Sequence, residues 1–125
     1  MKKPKRTLRE IFIPLEIFNS QVVVLIGHTQ NEVLEWIKKN IDKPEHKSLA
    51  LEAMTNIPNN VRGRTVLLSG GGSIIWIIEQ KNSTIVHELF HSTCHVLKNR
   101  ETPLSEDTEE VYAYLLEYLT KSCNI

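Results

Sequence analysis

His87-Glu88-Leu89-Phe90-His91 lies inside a segment, Ser83 to Lys98, with Ile85, Leu89, Thr93 and Val96 at helical spacing. On a helix, residues four apart stand one above the other on the same face. His87 and His91 therefore present two imidazoles to one point in space. Glu88 sits beside them, offset by about 100° at about 3.6 residues per turn. Two neutral imidazoles suit zinc, and an adjacent carboxylate that is not a ligand can accept a proton from water that the metal activates. The bland alternative is two surface histidines and a solvated glutamate. The context favours the metal: the pattern follows a candidate strand, and Ser83 is positioned to cap the first turn with its hydroxyl.

The rest of the composition excludes more than it specifies. With 125 residues the chain suits one domain, 1–125, around one core. Lysine plus arginine equals aspartate plus glutamate at 15 each, so no global field favours nucleic acid or a membrane surface. The one basic cluster, Lys2, Lys3, Lys5, Arg6 and Arg9, is expected to be a flexible tail over residues 1–9. The apolar run that follows it is broken by Pro14 and Glu16, which argues against a signal peptide. No run approaches the roughly 20 apolar residues of a membrane span. The two cysteines, Cys94 and Cys123, do not suggest a disulfide framework, and a reducing, cytoplasmic setting is the default. Cys94 is about 60° round the helix from His91 and is expected to pack.

Taken in order, Ile11 to Phe18 and Gln21 to Gly27 read as two strands of a hairpin turning at Asn19-Ser20. Thr29-Gln30-Asn31-Glu32 has capping-box spacing and opens a helix from Gln30 to Asn40. Residues 45–60 fit either a short helix or an irregular segment. Arg64 to Leu68 and Ile74 to Ile78 are strands around Ser69-Gly70-Gly71-Gly72-Ser73, a hairpin turn or flexible loop. Those glycines do not make a phosphate loop, because no helix starts directly after them. A last helix, starting at Ser105 or Asp107, runs to Ser122 with Val111, Tyr114, Leu115, Tyr118 and Leu119 facing a core. Strands, a helix, strands and two helices make the class α+β.

A catalytic zinc usually takes three protein ligands and leaves one position open. His95 continues the histidine row but lies about 12 Å along the axis from His87, too far for bonds of about 2.0–2.1 Å. It is expected to make a hydrogen bond or to line the edge of the cleft. The remaining donors are carboxylates near or on the last helix: Glu106, Asp107, Glu109, Glu110 and Glu117. A return by helix alone favours Glu117, and a return by extended chain favours Glu109 or Glu110, so geometry leaves these open.

The motif, followed 19 residues after His91 by Glu110-Val111-Tyr112-Ala113, resembles the gluzincin class of zinc metallopeptidases, in particular small HExxH proteins of phages and mobile elements. The likeness covers residues 74–122. It implies a small zincin-like domain with Zn2+ held by His87, His91 and Glu110, and Glu88 as general base. It also implies that Ala113 lets two helices approach, and that the strand from Ile74 to Glu79 is an edge that pairs with substrate backbone. Two departures stand out. Position 114 is Tyr, where the class often has an aspartate that orients a ligand histidine, and the chain is too short for a second lobe. Tyr112, Tyr114 and His95 are the candidate donors to an oxyanion.

The expectation is a zinc metallopeptidase acting on a peptide or protein, with no nucleic acid or membrane partner. The alternative is a zinc-binding regulatory protein of phage or mobile-element origin that cleaves little or nothing. A purely structural zinc site fits less well, since such sites close four protein ligands and mostly use cysteine.

Overall fold

The computed structural model describes residues 8–125. Strand β1 (Arg9–Leu15) leads through a single 3-10 turn (Glu16–Phe18) to β2 (Ser20–Ile26). Asn19 turns the chain in the left-handed region at φ 49°, a conformation that asparagine tolerates. Helices α1 (Gln30–Asn40) and α2 (Pro44–Thr55) follow, then β3 (Gly63–Leu67), β4 (Ser73–Ile77), α3 (Asn82–Asn99) and α4 (Glu109–Ser122). The class is α+β, as expected. Most of the expected basic tail, Lys2 to Arg6, lies outside the described residues. Arg9 is not tail: it opens β1, paired with Ile26, and its guanidinium donates to the Cys123 carbonyl at 3.2 Å.

The four strands form one sheet in the order β1-β2-β4-β3. β1–β2 and β3–β4 are antiparallel hairpins, and β2 runs parallel to β4. Strand β4 is therefore interior and the edges are β1 and β3, which corrects the expectation that Ile74 to Glu79 forms an edge. The physical reason lies in the residues: Ser73 to Ile77 is buried throughout, as a strand covered on both faces must be. The glycine segment closes the β3–β4 hairpin. Gly70 and Gly71 take φ of 88° and 97°, and the Leu68 amide donates to the Gly72 carbonyl at 2.9 Å.

Side chains alternate across the sheet and divide the core in two. Val23, Leu25, Val66, Ile74 and Trp76 meet α1 and α2 through Val33, Trp36, Ile37, Ala50 and Met54. Val22, Val24, Ile26, Ile75 and Ile77 meet α3 and α4 through Ile85, Leu89, Val96, Tyr112, Leu115 and Leu119. Each large aliphatic side chain so buried contributes about 1.5–3 kcal/mol. Both ends of the Thr29–Glu32 capping box are formed. Helix α3 starts earlier than its sequence suggests, with extended Lys81 as N-cap and no side chain capping it, so Ser83 lies inside the helix. The first turn of α3 thus keeps its backbone amides free of a cap.

Candidate metal centre

Helix α3 packs on the sheet through Ile85, Leu89, Val96 and Leu97. His87 and His91 each stand about 160° round the helix from Leu89 at about 100° per residue. The outward side of α3 therefore carries both imidazoles into solvent. Their Nε2 atoms converge to 3.3 Å, with ring centroids 5.0 Å apart and planes at 76°. His87, Glu88 and His91 bring their donor atoms within 4.8 Å of one another, a group that can hold a metal ion.

Glu88 differs from the histidines in being buried, at 6% exposure. Its position about 100° from His87 turns it towards the edge strand. On β3 the alternation sends Arg64 and Val66 towards α1 and α2, and Gly63 and Thr65 towards α3. The Thr65 hydroxyl donates to Glu88 Oε2 at 2.9 Å, with the Glu88 carbonyl oxygen a more distant 3.4 Å away. Gly63 leaves room for the same side chain: a Cβ there would lie 2.9 Å from Glu88 Cγ and 3.3 Å from its Cδ. The glutamate is thus seated between a hydroxyl and a missing side chain. The opening beside it is a cavity of about 430 Å³ that Glu88 shares with His87 and Arg62.

No family model, curated protein or solved structure matches this chain. The chemistry of the site rests on its own atoms.

The other predicted residues fall as follows. Glu110 is exposed in the first turn of α4 and is not within the donor group. It stands about 160° round α4 from buried Tyr112. Because α3 and α4 pack on one sheet face, this outward side of α4 and the histidine side of α3 belong to the same solvent-facing surface. Ala113 is exposed and lines a cavity of about 370 Å³ with Phe90 of α3 and Glu109. His95 Nε2 lies 2.6 Å from the Leu68 carbonyl oxygen and donates to it, the hydrogen-bonding role expected of it. Cys94 packs against the core. Tyr112 donates its hydroxyl to the Thr102 carbonyl at 2.8 Å, and burial, with a smaller contribution from Cys94, pushes its phenol pKa up. Tyr114 lines a separate apolar cavity with Ile17 and Phe18. None of the three candidate oxyanion donors therefore faces the histidine pair.

Thr65, Gly63 and Arg62 went unnoticed in the sequence. Each acts through the pairing of β3 beside α3, and only the alternation of a correctly registered β3 would have pointed to the first two.

Proposed function

We propose that this chain is a zinc-dependent hydrolase of peptide bonds, with His87 and His91 as ligands, Glu88 as general base and Glu110 as third protein ligand. The observation that carries this is the imidazole pair beside a buried, tethered carboxylate. Two zinc–nitrogen bonds of about 2.0–2.1 Å at a tetrahedral angle place their nitrogens about 3.3–3.4 Å apart. The Nε2 atoms are at 3.3 Å, so the two imidazoles fit one ion without rearrangement. A hydrogen bond between the rings would give a similar distance, and metal titration separates the two. Glu110 enters as third ligand through its spacing from His91 alone; it is exposed in the first turn of α4 and lies outside the donor group.

Bound zinc would supply Lewis-acid polarisation of a carbonyl and acidify water. The chain's own residues supply the rest. His87 and His91 offer neutral Nε2 lone pairs, which requires the proton on Nδ1. Glu88 takes a proton from the attacking water and passes it to the leaving amine. Thr65 fixes one carboxylate oxygen, which holds Glu88 in orientation for both transfers. Among the described residues the outer side of β3 has no strand partner, so an extended peptide can pair there and run past Glu88.

Zinc-loaded protein incubated with a diverse peptide library tests the proposal. Cleavage that disappears in Glu88→Gln, with zinc content unchanged, is the expected result. Zinc content that falls with Glu88→Gln would make Glu88 a ligand and remove the base. A second reading, a metal-binding interaction protein without turnover, draws on the absence of Tyr112, Tyr114 and His95 from the site. Zinc uptake with no cleavage of any library member would favour it.

A further inference from the structure

Helix α2 and the β3–β4 turn meet over a cavity of about 400 Å³. Val23, Leu68 and Ile74 form its floor, and all three belong to the core beneath α1 and α2. The cavity therefore lies on the face of the sheet opposite α3 and its histidine pair. A base and a nucleophile line it. His46, in the first turn of α2, brings Nε2 to 2.7 Å from the Ser69 hydroxyl, 23 residues away in sequence. With the imidazole proton on Nδ1, Ser69 donates to Nε2, the arrangement in which a histidine takes the proton of an attacking serine.

The turn that carries Ser69 is held by three hydrogen bonds. The Leu68 amide donates to the Gly72 carbonyl at 2.9 Å, the Gly71 amide to the Leu68 carbonyl at 3.3 Å, and the Ser20 hydroxyl to the Gly70 carbonyl at 2.7 Å. Gly71 has φ 97°, and a Cβ there would lie 2.9 Å from Ser20 Oγ, so glycine is required. A nucleophile on a fixed backbone needs little reordering before it attacks. Gly70, the next residue, also lines the cavity, and its amide donates to no described residue. An amide directly after the nucleophile is placed to stabilise the oxyanion that forms on attack. A hydrogen bond that merely tied α2 to the turn would need neither an adjoining cavity nor a free donor beside it. The lining also limits the substrate. Glu16 is the one carboxylate among the lining residues and none is lysine or arginine, so an anionic group is repelled. A volume of about 400 Å³ is near the small end of ligand pockets, about 300–1,000 Å³, and suits a short acyl chain over the apolar floor.

We propose that Ser69 and His46 are the nucleophile and base of a second, metal-independent site that hydrolyses esters of short, uncharged acyl groups. Ser69 Oγ bonds to the ester carbonyl carbon as its proton passes to His46 Nε2. The negative oxygen accepts from the Gly70 amide. The bond from the carbonyl carbon to the alcohol oxygen then breaks, and the alcohol leaves with the proton from His46. Water, giving a proton to His46, attacks the acyl ester on Ser69, and release of the acid returns that proton to Ser69.

The test uses chelator-treated protein with para-nitrophenyl acetate, at a pH where histidine is neutral. Nitrophenolate release with an acetyl group mapped to Ser69 is the expected result. Ser69→Ala and His46→Ala should each lower the rate at least about a hundredfold, the contribution of a positioned base. Urea unfolding shows whether each variant folds, and a fluorophosphonate probe gives a second reading on the unaltered chain, where it should label Ser69. Equal release by folded Ser69→Ala, acetyl on lysine or histidine side chains alone, or no probe on Ser69 overturns the site. Adding zinc should leave release unchanged; release that requires zinc belongs to the histidine pair and also overturns it. The para-nitrophenyl monoester of succinate should react at least about tenfold more slowly than the acetate, and an equal rate overturns the limit to uncharged groups.

Discussion

Replacing Thr65 with Val keeps the shape of the side chain and removes the hydroxyl that donates to Glu88 Oε2 at 2.9 Å. Among the described residues this is the one hydrogen bond that the buried carboxylate accepts. A hydrogen bond to a charged group contributes about 1.5–3 kcal/mol. Glu88 also borders the cavity, where water can replace the lost donor, so the low end, about 1.5 kcal/mol, is expected. At an unfolding entropy of about 2.1 cal/mol/K per residue, this corresponds to a fall of about 6 °C in Tm for a chain of this length. The valine is β-branched like threonine and suits the strand equally well, so the change reports on the hydrogen bond. Urea unfolding, zinc affinity by competition with a chromophoric chelator, and kcat/KM on a cleaved peptide together read the outcome. Stability should fall by the stated amount, kcat/KM by about tenfold (about 1.4 kcal/mol) as Glu88 loses its orientation, and zinc affinity should stay within twofold. Unchanged stability and activity would refute Thr65 as the anchor. A zinc affinity 10–100-fold weaker would instead be the effect of losing support behind a ligand, and would refute Glu88 as a free base.

Gly63→Ala should push Glu88 from its seat, since the new Cβ would lie 2.9 Å from Glu88 Cγ; a loss of about 1–3 kcal/mol in urea unfolding and a fall in kcat/KM are expected, and wild-type values for both would show that the contact relaxes freely. Glu110→Gln should weaken zinc binding and lower activity with it, while Glu117→Gln, whose carboxylate already pairs with Lys121 at 2.9 Å, should change neither. Zinc titration of both variants checks this assignment, and the reverse order would move the ligand to Glu117.

Much of this molecule is written locally in its sequence. The capping box at Thr29–Glu32 fixes the start of α1, and the apolar runs either side of Asn19-Ser20 form the β1–β2 hairpin. The spacing of His87 and His91 places them together because four residues on a helix is a local distance. Helix α2 is harder to read because its only buried residues are Ala50 and Met54, and its clearest signal is Pro44 at the first turn. The start of α3 is hard to read because a serine near a helix start looks like a cap, while the chain here enters through extended Lys81. What the sequence could not show is non-local. The order of the strands follows from β2 accepting β4 as a parallel partner across an intervening pair of helices and β3. That order makes β3 an edge strand and brings Thr65, Gly63 and Arg62 beside Glu88. The third-ligand question has the same origin: α4 is set by its packing, and the outward side that bears Glu110 is fixed by Tyr112, Leu115 and Leu119.

Calorimetric titration of zinc into chelator-treated protein tests the metal centre most directly. One ion per chain is expected, with a matching rise in Tm because the ion binds only the folded state. His87→Ala and His91→Ala should each abolish both effects and leave the metal-free Tm within about 1 °C, since neither exposed imidazole supports the core. No zinc uptake by the unaltered chain, or the same uptake when either histidine is replaced, would contradict it.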